Sequence, residues 1–204
     1  MTHLPPPSDT RSALARAELI LGGQKSGKSR RAELLARDWL AADESRQAVL
    51  IATGQAFDAE MAERIARHRR DRAERVPGLQ THEEPLQLAA VLTQLSQPDT
   101  LVVVDCMTIW LTNWLMPMHA DDGLVSTGRD GFEVAADALL QALAQARGPV
   151  VLVSNEIGLG VIPMGRETRA FVDALGVLNQ RLATACDRVV LMAAGLPLAF
   201  KGQL

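Results

Sequence analysis

Eight consecutive residues, Gly22, Gly23, Gln24, Lys25, Ser26, Gly27, Lys28 and Ser29, fit the phosphate-loop pattern G-x-x-x-x-G-K-[ST] without a mismatch. The apolar run Leu19-Ile20-Leu21 precedes them and a helical pattern starts at Ser29, the strand-to-helix context that such a loop needs. Glycines let backbone N–H groups turn inward around an anion where a Cβ would obstruct them. The helix that follows aims its positive end at the same charge. Lys28 would reach the β- and γ-phosphates of a nucleotide, and Ser29 would offer its hydroxyl to Mg²⁺. A second acid fits this chemistry: Asp105 ends the apolar run Leu101 to Val104, where a P-loop enzyme places the carboxylate that serves the metal. Ser29 and Asp105 are thus the candidate metal residues.

A second constellation lies in residues 58–72, which carry five arginines around one histidine, His68. Met61 and Ile65 are four apart and His68 follows three later, so a helix would put all three on one face, with Arg67 and Arg69 to either side. Two readings stand side by side. In one, His68 is a partly buried structural imidazole on a solvated helix laced by the i,i+4 pairs Glu60-Arg64 and Glu63-Arg67. In the other, a neutral imidazole attacks a phosphorus atom and splits one transfer into two steps, while guanidiniums hold the charge of the leaving phosphates. His3, His82 and His119 form no pair with metal-ligand spacing.

The elements that must position these groups alternate between short apolar runs and longer helical segments. Strands are expected near Leu19–Leu21, Ala48–Ala52, Leu101–Val104, Val150–Val153 and Val189–Met192, with a further one around Leu198 to Phe200. Helices are expected over Ser29–Leu40, from an Asp58 cap to Arg75, after Pro85, from Phe132 to Ala146, and from Thr168 to Ala185. The strands are continuous apolar runs, the mark of strands covered on both faces, and the helices between them imply crossover connections. The expectation is a single α/β domain of the P-loop NTPase type, spanning 18–204, with a mainly parallel sheet flanked by helices. Residues 1–17, with Pro5, Pro6 and Pro7, read as a disordered N-terminal extension. Asn155-Glu156, after a strand, reads either as a turn and helix cap or as a group reaching the nucleotide crevice.

Composition narrows the classes. At 204 residues the chain suits one domain. Three Trp, four Phe and no Tyr leave little for stacking on single-stranded nucleic acid, and a net charge of -3 gives no global pull toward polyanions, so no nucleic-acid partner is expected. No run approaches a membrane span and the N-terminus lacks a signal-peptide core, so a cytoplasmic protein is expected. Cys106 and Cys186 read as two buried thiols.

With these motifs in order, the chain resembles the bifunctional adenosylcobinamide kinase/adenosylcobinamide-phosphate guanylyltransferases. The likeness runs from Leu19 to Lys201. Beyond the phosphate loop it rests on Ile51-Ala52-Thr53, the run from Asp58 to His68, and the run from Asp105 to Asn113. It continues through Val153 to Gly158, Asn179 to Ala183, and Ala194 to Pro197. It implies phosphorylation of adenosylcobinamide by ATP or GTP. Transfer of GMP from GTP follows, giving adenosylcobinamide-GDP and pyrophosphate. It implies that His68 carries GMP covalently and works with Lys28. Nucleotide contacts are implied at the phosphate loop, Thr53, Gly54, Gln55, Arg69, Arg70, Asp71, Arg72, Glu83 and Asp105. It further implies Mg²⁺ and a homotrimer. The extension before Ala17 has no counterpart in this pattern, and some members carry Glu where this chain has Asp105. The alternative is a P-loop kinase of another small metabolite, without guanylyl transfer. A third possibility is a nucleotide-sensing module in which Asn155-Glu156-Ile157-Gly158 acts as a sensor loop.

Overall fold

The computed structural model describes residues 14–56, 59–117 and 127–204, and at residues 59–61, 64 and 68 the backbone alone. Most of the expected extension, the Asp58 cap, the Glu60-Arg64 pair, His119 and most of the loop after Pro117 lie outside the described residues or side chains.

β1 (Ala17–Gly22) leads into α1 (Lys28–Ala41), β2 (Gln47–Ala52) into α2 (Ala59–Arg75), and β3 (Leu79–Glu83) into α3 (Leu88–Leu95). After β4 (Thr100–Asp105) come α4 (Met107–Leu115) and α5 (Arg129–Ala144). β5 (Val150–Val153), α6 (Arg166–Ala185), β6 (Arg188–Ala193) and β7 (Leu196–Lys201) complete the described chain. The strands form one sheet in the order β3-β2-β4-β5-β1-β6-β7. Every neighbouring pair is parallel except the closing β6–β7 hairpin. The α/β class with a mainly parallel sheet is therefore the observed one.

Alternation along the strands sorts side chains into two cores, because successive residues of a strand point to opposite faces. Ile20, Leu50, Val103, Val151 and Val190 meet Ala32 and Ala36 of α1 on one face. Leu19, Ile51, Val104 and Leu152 meet α3, α4, α5 and α6 on the other. Trp110 and Trp114 belong to this second core at 0% and 4% exposure. Trp110 packs against Trp114 and Phe132 at ring-centroid distances of 6.5 and 5.5 Å. The apolar run after Asp105 is thus a buried helix, and its tryptophans are packing residues unavailable to a bulky substrate.

β3 was not anticipated from the sequence. It pairs with β2 in parallel, Ala48 opposite Leu79 and Ala52 opposite Glu83. Four of its five residues are exposed, and only Leu79 is half-buried. An edge strand with so little to bury carries no hydrophobic signature. Its function is positional: the register brings Glu83 to the same edge of the sheet as Ala52 and, through β4, Asp105.

Candidate active site

The carboxyl ends of β1, β2, β4 and β5 open on one side of the sheet, the side on which such folds bind ligands. There the glycine loop turns between β1 and α1. Gly22 has φ 152°, and a Cβ on it would stand 2.5 Å from Ser26 Oγ and 2.6 Å from the Met192 carbonyl oxygen. Gly27, at φ 102°, precedes α1, and no side chain caps the helix. Its first-turn N–H groups therefore keep their capacity for an anion. The Gly195 N–H, in the β6–β7 turn, donates to the Ser26 carbonyl at 3.0 Å and props the loop from behind.

Lys28 is buried, and its Nζ donates to the Gly23 carbonyl at 2.6 Å. Burial lowers its pKa from the ordinary lysine value, against an upward pull from Cys106 and Asp105. The ammonium thus sits partly desolvated, where its attraction to a phosphate is worth more than in water. Ser29 is exposed at the start of α1, and the Ser26 hydroxyl is buried without a partner.

Asp105 ends β4, and Thr53 fixes the backbone around it. The Thr53 N–H donates to the Asp105 carbonyl at 3.2 Å. The Thr53 hydroxyl donates to the Cys106 carbonyl at 2.8 Å and accepts the Cys106 N–H at 2.9 Å. Asn113 Nδ2 in turn donates to the Thr53 and Pro85 carbonyls at 2.9 and 3.0 Å. The Asp105–Cys106 peptide bond is cis. Burial, reinforced by Asp105, pushes the Cys106 thiol up to about 11, and burial likewise pushes Cys186 up to about 12, so both stay protonated near neutrality. A similar clasp holds the end of β5. Ser154 Oγ donates to Asn179 Oδ1 at 2.7 Å, Asn179 Nδ2 donates to the Asn155 carbonyl at 3.0 Å, and the Asn155 N–H donates to Thr108 Oγ1 at 3.1 Å.

These groups share a cleft of about 850 Å³ with α2, a size in the range of small-molecule sites. Of the residues implied by the resemblance, Gln24, Lys25, Ser26, Gly27, Lys28, Ser29, Gly54, Arg69, Arg72 and Asp105 line it. Gly22 and Gly23 shape the loop beneath. Thr53 is wholly buried below the cleft floor. Gln55, Arg70, Asp71 and Glu83 do not line the cleft, and Arg70 and Asp71 are exposed on α2. Glu83 instead forms an ion pair with Arg69.

Three arginines of α2, Arg69, Arg72 and Arg75, find partners across the fold. Arg72 and Arg75 approach the buried Glu33 of α1 at 3.8 and 3.0 Å, and Arg72 Nη1 donates to Thr81 Oγ1 at 3.4 Å. Ile65 and Arg67 also line the cleft. His68 stands three residues beyond Ile65 on the same helix, and its side chain lies outside those described. Arg30, Glu33, Ala52, Thr81, Cys106, Ile109, Val153 and Asn155 complete a lining that sequence reasoning did not assemble. Asn155 had a signal in its place after a strand, and Arg67 in flanking His68. Glu33 and Thr81 had none.

Ser29 and Asp105 both offer hard oxygen donors, the kind that Mg²⁺ takes. Among the described residues no cluster of three metal-binding side chains occurs.

Comparison with known proteins adds to this geometry. The model of the family described as cobinamide kinase / cobinamide phosphate guanyltransferase matches residues 18–200. The bifunctional adenosylcobalamin biosynthesis protein CobP of Pseudomonas aeruginosa is 45% identical over 186 residues, which is 91% of this chain and 98% of the relative. CobU of Escherichia coli and CobU of Salmonella typhimurium, both named as bifunctional adenosylcobalamin biosynthesis proteins, are each 37% identical over 187 residues, covering 90% of this chain and 98% of theirs. Among solved structures, the flagellar accessory protein FlaH from Methanocaldococcus jannaschii matches with a TM-score of 0.49 at 11% identity, over 92% of this chain and 79% of that one.

Proposed function

The chain belongs to the cobinamide kinase / cobinamide phosphate guanyltransferase family, and from that membership we propose that one cleft serves both reactions in turn, with His68 carrying the guanylyl group. The protein is a bifunctional enzyme of adenosylcobalamin biosynthesis. The observation that supports a shared cleft is the convergence of the phosphate loop, Asp105 and the arginine-rich face of α2 on one volume.

In the kinase step the hydroxyl of adenosylcobinamide attacks the γ-phosphorus of ATP or GTP. The bond to the bridging oxygen breaks, the nucleoside diphosphate leaves and the hydroxyl proton is released. Lys28 and the loop N–H groups hold the phosphates as charge shifts toward the leaving oxygen. In the second reaction a neutral His68 nitrogen attacks the α-phosphorus of GTP and pyrophosphate departs. A phosphate oxygen of adenosylcobinamide phosphate then attacks the same phosphorus, the P–N bond breaks, and the imidazole is restored as adenosylcobinamide-GDP forms. Arg67, Arg69 and Arg72, on the cleft wall, would neutralise charge moving along the triphosphate. Mg²⁺ at Ser29 and Asp105 would supply further charge neutralisation between the phosphates. The same reading extends to a cytoplasmic homotrimer whose catalytic domain spans 18–204.

The test is a covalent one. Incubation with α-labelled GTP should leave label on the denatured protein, acid-labile and alkali-stable, and mapping should place it on His68. His68→Ala should lose guanylyl transfer by about a thousandfold or more while phosphorylating cobinamide at near the parent rate. Label mapped elsewhere, or equal loss of both reactions, would end the His68 assignment and leave the family membership standing.

A further inference from the structure

Thr53 is among the residues that the family resemblance assigns to the nucleotide, yet its geometry is that of a residue acting through another. It is 0% exposed. A hydroxyl has one proton to give, and that of Thr53 goes to the Cys106 carbonyl, while an oxygen lone pair takes the Cys106 N–H. None remains for a phosphate. The Thr53 N–H holds the Asp105 carbonyl, and its own carbonyl is held by Asn113, itself 7% exposed. One buried residue at the end of β2 therefore grips the backbone that directly follows the Asp105 side chain at the end of β4.

We propose that Thr53 is a positioning residue for Asp105. Its hydroxyl, backed by Asn113, sets where the Asp105 carboxylate stands in the cleft facing Lys28 and Ser29. The proposal rests on the reading of that cleft as a Mg²⁺-nucleotide site. Loss of the hydroxyl leaves the part-buried Cys106 N–H unpaired and its carbonyl with the Trp110 N–H alone, which the chain relieves by moving the Cys106 peptide and the Asp105 side chain with it. The phosphate loop, built from β1 and α1, does not depend on this clasp. Metal-dependent and metal-free nucleotide binding should thus separate.

The experiment uses the full chain with Thr53→Val, Thr53→Ser, Asn113→Leu and Asp105→Asn, each checked for folding by thermal melting. Binding of a fluorescent N-methylanthraniloyl GTP is measured first in excess chelator and then across a Mg²⁺ titration, beside kcat and KM for both reactions. Thr53→Val should raise the half-saturating Mg²⁺ concentration about tenfold and lower kcat in both reactions similarly, with chelator-state affinity within about twofold of the parent. Thr53→Ser, which keeps the hydroxyl, should return to within about threefold. Asn113→Leu should move the Mg²⁺ midpoint the same way by less, and it carries the test should Thr53→Val not fold. An equal loss of chelator-state affinity would mean direct nucleotide contact and overturn the proposal. So would a lowered melting point with an unmoved Mg²⁺ midpoint. Asp105→Asn separates the two layers. If it leaves the Mg²⁺ midpoint unmoved, the metal role of Asp105 fails and the positioning role with it. If it shifts the midpoint while neither Thr53→Val nor Asn113→Leu does, the positioning role alone fails.

Discussion

Two buried charges lie near opposite ends of β1, and the protein treats them differently. Glu18, near the start of the strand, is 0% exposed and fully paired. One oxygen meets Arg31 of α1 at 2.9 Å and the other meets Arg188 of β6 at 3.1 Å. Lys28, just past the loop at the other end, is also buried, but its hydrogen bond goes to a neutral carbonyl and burial works against its charge. A buried charge whose counter-charges are built in ties elements together. One left with a neutral partner keeps its strongest interaction for a ligand. The first arrangement joins β1, α1 and β6 into one body. The second, in the proposed function, would hold a site in readiness for phosphate at some cost to the fold.

Three substitutions test that contrast. The largest effect is expected for Lys28→Met, which should lower both the kinase and the guanylyltransferase rates about a hundred- to a thousandfold. Its melting point should be no lower than the parent's. The sign follows from the lowered pKa: the unfolded chain keeps the Lys28 proton to higher pH than the folded one. For this group, stability is therefore gained as pH rises through the lowered value toward the ordinary one. The methionine variant should lose that alkaline gain. A clear fall in melting point at neutral pH would break the comparison by showing that Lys28 stabilises the fold. Glu18→Gln should do the opposite, removing the carboxylate shared by two arginines. It should cost about 3–5 kcal/mol in urea unfolding, with little change in KM for either substrate. The smallest effect on stability belongs to Arg69→Ala. Arg69 and Glu83 are both about half exposed, so their pair should be worth under about 1 kcal/mol. The KM for GTP should nevertheless rise about tenfold if Arg69 meets the nucleotide. An unchanged KM would confine Arg69 to the Glu83 pair.

Much of this was legible in the sequence where local pattern and chemistry coincide. The continuous apolar runs locate β1, β2, β4, β5 and β6 to within a residue or two. The eight-residue loop locates the phosphate end of the cleft, because that motif is contiguous. What could not be read depends on residues far apart in the chain. The i,i+4 pairs read from sequence spacing involve Arg64 and Arg67, whereas Arg69, Arg72 and Arg75 reach Glu83 and Glu33 only through the fold. β3 escaped notice because an edge strand of mostly polar residues has nothing to bury on either face. Amphipathicity alone does not say which side of α4 meets the core, and only the fold places Trp110 and Trp114 there. Thr53 stands in a motif, but only the fold shows that its hydroxyl is spent on Cys106.

The strand order has a consequence for the growing polypeptide. β1 is synthesised before the other strands of its sheet, yet it is flanked by β5 and β6, which begin at Val150 and Arg188. The prop behind the glycine loop comes later still, from Gly195. During translation the glycine loop is thus made long before the neighbours that shape it. The full set of contacts around the loop therefore waits until the segment through Gly195 has been made, so a chain cut short before it would carry the motif without that support.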